Sequence, residues 1–329
     1  MLQRMNLFLE KAMPYVIPII VFLGVTLWSG AQSWAPFVKW IFAFISFSSC
    51  LSLNLLQVKQ AFSRPLPIII CLSILQFIIP LLAYVSGIVF FSENINMIAG
   101  LVLAFTIPTG VVTLMWVGLK GGNKGLTLAI VLVHTLLSPF LVPLTLQVLV
   151  GAQVSMDVFG LMSGLFWMIV FPSIIGIVVN RVTNGKSKKL GTTLAPFSKV
   201  AILVVILINS AVVSPYFQTI DGTLIFLFFL VWGIACVAYM IGLFLPFLFK
   251  WDKSTAISLM YNSGMRNTGV GASLAVTYFP PAAALPVVLS IVFQQFLAAI
   301  AGRFVTYYFD VERQEKKEDE MKKGRKLSS

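Results

Sequence analysis

The 329-residue sequence predicts an all-α integral membrane protein, with ten transmembrane helices in two inverted repeats of five. Three observations predict it. The chain is 59% hydrophobic and only 10% charged, with a mean hydropathy of +0.96. It contains ten apolar runs of the length a bilayer needs. Two of those runs, the fourth and the ninth, are broken in their middles, each the fourth member of a group of five.

The composition excludes the soluble classes. A soluble domain carries about 25% charged residues, and this chain has too few polar groups to cover its surface. The formal charge of +12 therefore does not imply a nucleic-acid partner; in a membrane protein it reflects basic residues kept in cytoplasmic loops. Cys50, Cys71 and Cys236 lie in apolar runs without a CxxC pair. They read as buried small hydrophobes, not as a disulfide frame or metal centre.

A hydrocarbon core of about 30 Å takes roughly 20 apolar residues per helix. The runs fall at 13–29, 34–57, 66–90, 97–119, 125–150, 157–180, 197–216, 222–249, 254–278 and 281–308. Arg4 and Lys11 before the first run, and Ala31 and Ala35 after it, imitate a secretory signal. Nine further spans favour a retained helix. Alternate loops carry twenty of the 23 Lys and Arg residues, while the other side holds Glu93, Asp157, Asp221 and at most Lys39. Basic loops stay cytoplasmic, which places both termini in the cytoplasm of a plasma-membrane protein and agrees with an even number of spans. Trp28, Trp34, Trp40, Tyr307 and Tyr308 sit near span ends, where amphipathic rings anchor at the interface. The organisation expected is one transporter domain over 1–309 and a charged cytoplasmic tail over 310–329. That tail interleaves six acids with seven bases and reads as a solvated helix or extension.

The two breaks carry the functional information. In the fourth span, Ile107-Pro108-Thr109-Gly110 interrupts the run; proline removes a backbone donor and clashes with the preceding turn, and glycine weakens the helix. In the ninth, Tyr261-Asn262-Ser263-Gly264-Met265-Arg266-Asn267-Thr268-Gly269 is a polar patch inside an apolar helix. In lipid, freed backbone groups cost several kcal/mol each unless they line a protein cavity. Five spans per half force the second half to be inverted. Paired discontinuous helices in an inverted repeat are the arrangement of secondary transporters, which bind at the crossing and alternate access. Pro139, Pro143, Pro172 and Gly176 read more simply as kinks or close packing.

Arg266 lies midway along the ninth span, and no span interior contains an Asp or Glu. Burying it costs about 3 kcal/mol on insertion scales. Its charge must be met by unwound carbonyls, the negative end of a half-helix, or an anionic ligand held by its planar fork. His134, the sole histidine, is either a proton-relay candidate or a neutral side chain bonded to a neighbouring helix. Gln76, Gln294, Gln295, Thr106, Thr109, Thr113 and Thr127 can line the cavity or cross-link helices.

At these residues the chain resembles the bile acid:sodium symporter family. The resemblance covers nearly the whole length: ten spans, the Pro-Thr-Gly break, the Gly-Met-Arg-Asn stretch, the Lys120-Gly121-Gly122-Asn123 loop with Leu136-Leu137-Ser138-Pro139, and Gln76-Phe77 with Pro80. It implies a panel bundle of spans 1, 2, 6 and 7 and a core bundle of spans 3–5 and 8–10, whose broken helices cross beside two sodium ions. The first sodium site is implied at Thr113, Leu114, Thr127, Val131 and Asn262, and the second at Gln76, Asn262, Ser263, Met265 and Arg266. Substrate contacts are implied at Thr109, Gly110, Val111 and Asn267, with Arg266 as a further candidate.

The departures are chemical. Leu114 and Val131 offer no side-chain oxygen, Asn262 stands where an acid is usual, and Arg266 replaces a glutamine. A sodium ion needs several oxygens and is repelled by a nearby guanidinium. The expectation is a secondary transporter of small organic anions with degraded sodium sites, Arg266 serving as a tethered cation. The coupling ion would then be a proton, through His134, or absent; a conventional sodium symporter, or a sensor or channel on the same scaffold, remains the alternative. No cofactor is expected beyond Na+ or H+ as a coupling ion, and the partners are the organic anion and the bilayer. Membrane-embedded catalysis has no support from paired carboxylates, a metal cluster or a nucleophile beside a base.

Overall fold

A computed structural model describes residues 2–53, 55–63, 65–110, 112–151, 156–218 and 221–327. Among them the regular elements are all helical. Helix α1 (Leu2–Thr26) turns through a 3₁₀ segment (Ser29–Phe37) into α2 (Val38–Cys50), the two arms meeting at 108°. After the short α3 (Leu55–Ala61) come α4 (Pro65–Phe91), α5 (Ile95–Thr106), α6 (Thr113–Leu119) and α7 (Lys124–Val150). The chain continues as α8 (Val158–Val182), α9 (Lys188–Val212) and α10 (Gly222–Leu248). It ends in α11 (Lys253–Gly264), α12 (Thr268–Tyr278) and α13 (Pro281–Leu327).

Among the described residues, six helices are long and apolar enough to cross a bilayer: α4, α7, α8, α9, α10 and Pro281–Phe309 of α13. The bent pair Ala12–Thr26 with Ser29–Cys50 makes up to seven. The protein is thus a multi-pass membrane protein. The fourth and ninth runs are split in two, as their Pro, Gly and polar residues require. Other boundaries move for identifiable reasons. Helix α9 begins nine residues before the apolar run at 197, because its exposed first turns carry Lys188 and Lys189. The second run stops at Cys50, and α3 forms separately. Backbone helix continues through the charged tail to Leu327.

Several helix starts are capped by short polar side chains, which satisfy amides that have no intrahelical acceptor. Asn94, Asn123, Asp157, Asp221 and Asp252 cap α5, α7, α8, α10 and α11. Wide π turns at Ile74–Ile78 and Phe166–Val170 precede Pro80 and Pro172, whose missing amide donors break the regular ladder. Pro172 is therefore part of a helix irregularity, and the π turn in α4 contains Gln76.

Helix α1 packs along α9, and α2 against α8 and α9; α5 lies against α4 and α13, and α11 against α10 and α7. Close approach depends on glycine. A Cβ on Gly264, at the end of α11, would clash with the ring of Tyr239, which is buried. Gly100 on α5 would meet the Ala283 carbonyl oxygen of α13. Gly264→Ala is expected to lower stability in detergent by about 1–3 kcal/mol, as overpacking does. Gly233→Ala, where nothing lies within 4 Å, should leave it unchanged or slightly raised; equal melting temperatures for both variants would refute this packing.

Candidate functional site

The two breaks meet. The amide of Asn267 donates to the Pro108 carbonyl at 2.8 Å, and the Thr109 hydroxyl donates to the Asn262 carbonyl at 3.1 Å. Four half-helices, α5, α6, α11 and α12, therefore end around one small volume. A helix cannot satisfy its last carbonyls, and these also carry the negative end of its dipole. Here α5 and α11 point those ends toward each other.

Arg266 sits between them and is 4% exposed. Its Nε donates to the Phe105 carbonyl at 3.1 Å. Its Nη1 donates to the Ser263 carbonyl at 2.7 Å and the Met265 carbonyl at 3.2 Å, with Asn262 at 3.5 Å. The guanidinium is thus a side-chain cap for two helices at once. Each helix end carries about half a negative charge, so two of them offset one cation without a carboxylate. The Arg266 amide donates to Gln294 Oε1 at 3.1 Å, which ties the break to α13. Nη2 has no partner among the described residues; nor has the hydroxyl of Tyr239, which lines the same small void of about 10 Å³. That is about the room one water needs.

His134, fully buried on α7, braces the other break. Its Nδ1 accepts the Thr109 amide at 3.4 Å, and its Nε2 faces Gln76 Oε1 at 3.1 Å. The Gln76 amide nitrogen donates to the Leu141 carbonyl at 2.9 Å and the Thr145 hydroxyl at 2.8 Å. This network assigns the ring as neutral, with its proton on Nε2. A proton on Nδ1 would set a donor against the Thr109 amide.

Thr109, Gly110, Thr113, Met265, Arg266 and Asn267 all face a cavity of about 350 Å³. Its other walls come from α1, α2 and α9 and from α7, α8 and α13. Gln76 and Ser263 lie away from that wall, Ser263 beside the Cys71 thiol. Val111 lies outside the described residues. On the first-site positions, the Asn262 amide nitrogen donates to Thr127 Oγ1 at 3.1 Å and the Ser258 carbonyl at 2.8 Å. Asn262 Oδ1 and Thr113 Oγ1 are buried without a hydrogen-bond partner among the described residues. Sequence reading missed Lys199 and the α2 serines as cavity residues. Lys199 falls at the start of the run at 197–216, and Ala195, Lys199, Ile202 and Ile206 recur at helical spacing and mark one face.

Residues 40–220 match the Sodium Bile acid symporter family. The uncharacterized protein YbaS of Bacillus subtilis (strain 168) is 43% identical over 295 residues, 88% of this chain and 95% of that protein. The chain belongs to the sodium bile acid symporter family. An uncharacterized sodium-dependent transporter, YocS, of the same organism is 26% identical over 74% of each chain. The probable chloroplastic sodium/metabolite cotransporter BASS1 of Oryza sativa subsp. japonica is 27% identical over 58% of this chain and 47% of that protein. The Ser263 and Met265 carbonyls are engaged by the Arg266 guanidinium, and Gln76 Oε1 by His134.

His134→Ala is expected to orphan the Thr109 amide and Gln76 Oε1, lowering stability by about 2–4 kcal/mol at the usual cost of unpaired buried groups. Thermal unfolding in detergent measures it, and an unchanged midpoint would contradict the assigned network.

Proposed function

We propose that this protein is a secondary transporter of small organic anions, working by alternating access, in which Arg266 holds the crossing together as a tethered cation. The reading takes the plasma membrane as its location, ten spans over 1–309 as its body and both termini, including the 310–329 tail, as cytoplasmic. Spans four and nine are then α5 with α6 and α11 with α12, crossing as the discontinuous helices of an inverted repeat do. The observation that carries it is the guanidinium bonded to carbonyls of both breaks beside a 350 Å³ cavity. That volume lies in the range of small-molecule sites.

Asn267 and Thr109, with Gly110, supply polar contacts where the cavity meets the crossing. Arg266 contributes positive potential there, while most of its donors are spent on carbonyls. Relatives named as sodium-dependent support ion coupling. The unpartnered oxygens of Thr113 and Asn262, near Thr127, favour one sodium at the first site. At the second site the tethered cation and the Ser263 and Met265 carbonyls leave no vacancy for another. The hydrogen bonds of His134 give a proton relay no support.

Uptake into proteoliposomes tests the reading. A panel of radiolabelled organic acids should yield a substrate whose initial rate rises hyperbolically with sodium concentration, as one ion requires. A cooperative, two-sodium dependence would defeat the tethered-cation reading; failure of every organic anion to accumulate would defeat the transporter reading. Asn267→Ala should raise KM for the transported acid by about tenfold or more, the value of one buried hydrogen bond to a charged group.

A further inference from the structure

The cavity has a second polar end, far from the crossing. On α9 the residues Gly191, Ala195, Ser198, Lys199, Ile202 and Ile206 share one face and line it. The lower part of this face is polar. Ser198 is 7% exposed, and its hydroxyl has no partner among the described residues. The neighbouring Lys199 amine donates to the backbone and side-chain oxygens of Asn6 on α1. Across the cavity α2 presents Ser48 and Ser49, and the turn after it Ser52. A buried hydroxyl without a partner costs free energy unless something in the cavity bonds it.

The separation of the two polar ends follows from helix geometry. Asn209, ten residues beyond Lys199, donates to the Gly269 carbonyl at 3.2 Å and to Ser273 Oγ at 3.0 Å, fixing that level of α9 beside the start of α12. At a rise of 1.5 Å per residue, ten residues span about 15 Å. Between the ends the wall is apolar: Met13, Ile17, Phe42, Ile45, Ile202 and Ile206. A site polar at both ends and apolar between complements an elongated molecule of the same pattern.

Resting on the anion-transport reading, we propose that Ser198 and Lys199 form a second anion subsite, and that the substrate is an α,ω-dicarboxylate with an apolar middle. One carboxylate lies at the crossing, on the Asn267 side chain. The other takes the Ser198 hydroxyl and the Lys199 ammonium, which shifts from its Asn6 oxygens to the ligand. Because α9 contributes one end and the broken helices the other, such a substrate bridges the two sides of the cavity. The apolar wall sets the chain length and selects against short, wholly polar diacids.

The test compares suberate with octanoate, an equally long acid lacking the second carboxylate, as ligands and as competitors of uptake for the purified full-length protein. The wild type should prefer suberate by about tenfold or more, the worth of one charge-assisted hydrogen bond. Lys199→Gln should bring the suberate-to-octanoate ratio near one, and Ser198→Ala should reduce it several-fold. Asn6→Ala removes two of the lysine's acceptors but keeps the cation, so it should retain or increase the ratio; this separates recognition from a merely structural contact. An unselective wild type, or a ratio unmoved in Lys199→Gln, would overturn the second subsite while leaving anion transport standing. Absence of binding by either acid and by every other organic anion would overturn both.

Discussion

A single guanidinium holds the centre of this protein. Two helices stop inside the protein, and each stop leaves carbonyls without an intrahelical partner. Arg266 answers both: its Nε bonds the Phe105 carbonyl at the end of α5, and its Nη1 bonds the Ser263 carbonyl at the end of α11. The cation in turn needs negative potential, and the two helix ends supply it. Neither the breaks nor the buried charge is tolerable alone. Together they make a polar junction that sits in a low-dielectric interior without a carboxylate among the described residues.

The surroundings extend this junction in two directions. Toward the protein interior, His134 and Gln76 fix Thr109 to α7 and α4, while Gln294 fixes the Arg266 amide to α13. The junction is therefore anchored to several uninterrupted helices. Toward the cavity, Thr109, Gly110 and Asn267 present backbone and side-chain polar groups to whatever enters. A transported solute meets rigid groups on the broken-helix side and a separate wall from α1, α2 and α9. Relative movement of those two sides is what alternating access would require.

Much of this was legible in the residues. Pro108 with Gly110, and Gly264 with its polar neighbours, announced breaks because proline and glycine weaken helices wherever they stand. The absence of any acid within the spans announced that Arg266 would bond carbonyls or a ligand, though it left the choice open; the structure brings carbonyls. His134 was ambiguous from the chain, since its role depends on which groups three helices carry to its two nitrogens. Lys199 stands at the edge of an apolar run and reads as part of a basic flank; its place on a cavity-lining face depends on α9 starting at Lys188. The contact between Gly264 and the Tyr239 ring depends on two helices meeting at one level, which no local pattern encodes.

The account stands on Arg266 acting as a permanent substitute for a bound ion. The most direct measurement is the thermal stability of purified Arg266→Gln across a sodium titration in choline-balanced buffer. The account predicts a marked loss of stability without sodium and its recovery as sodium rises, because a free cation then takes up the carbonyls that the guanidinium left. A variant as stable as the wild type in sodium-free buffer would contradict it.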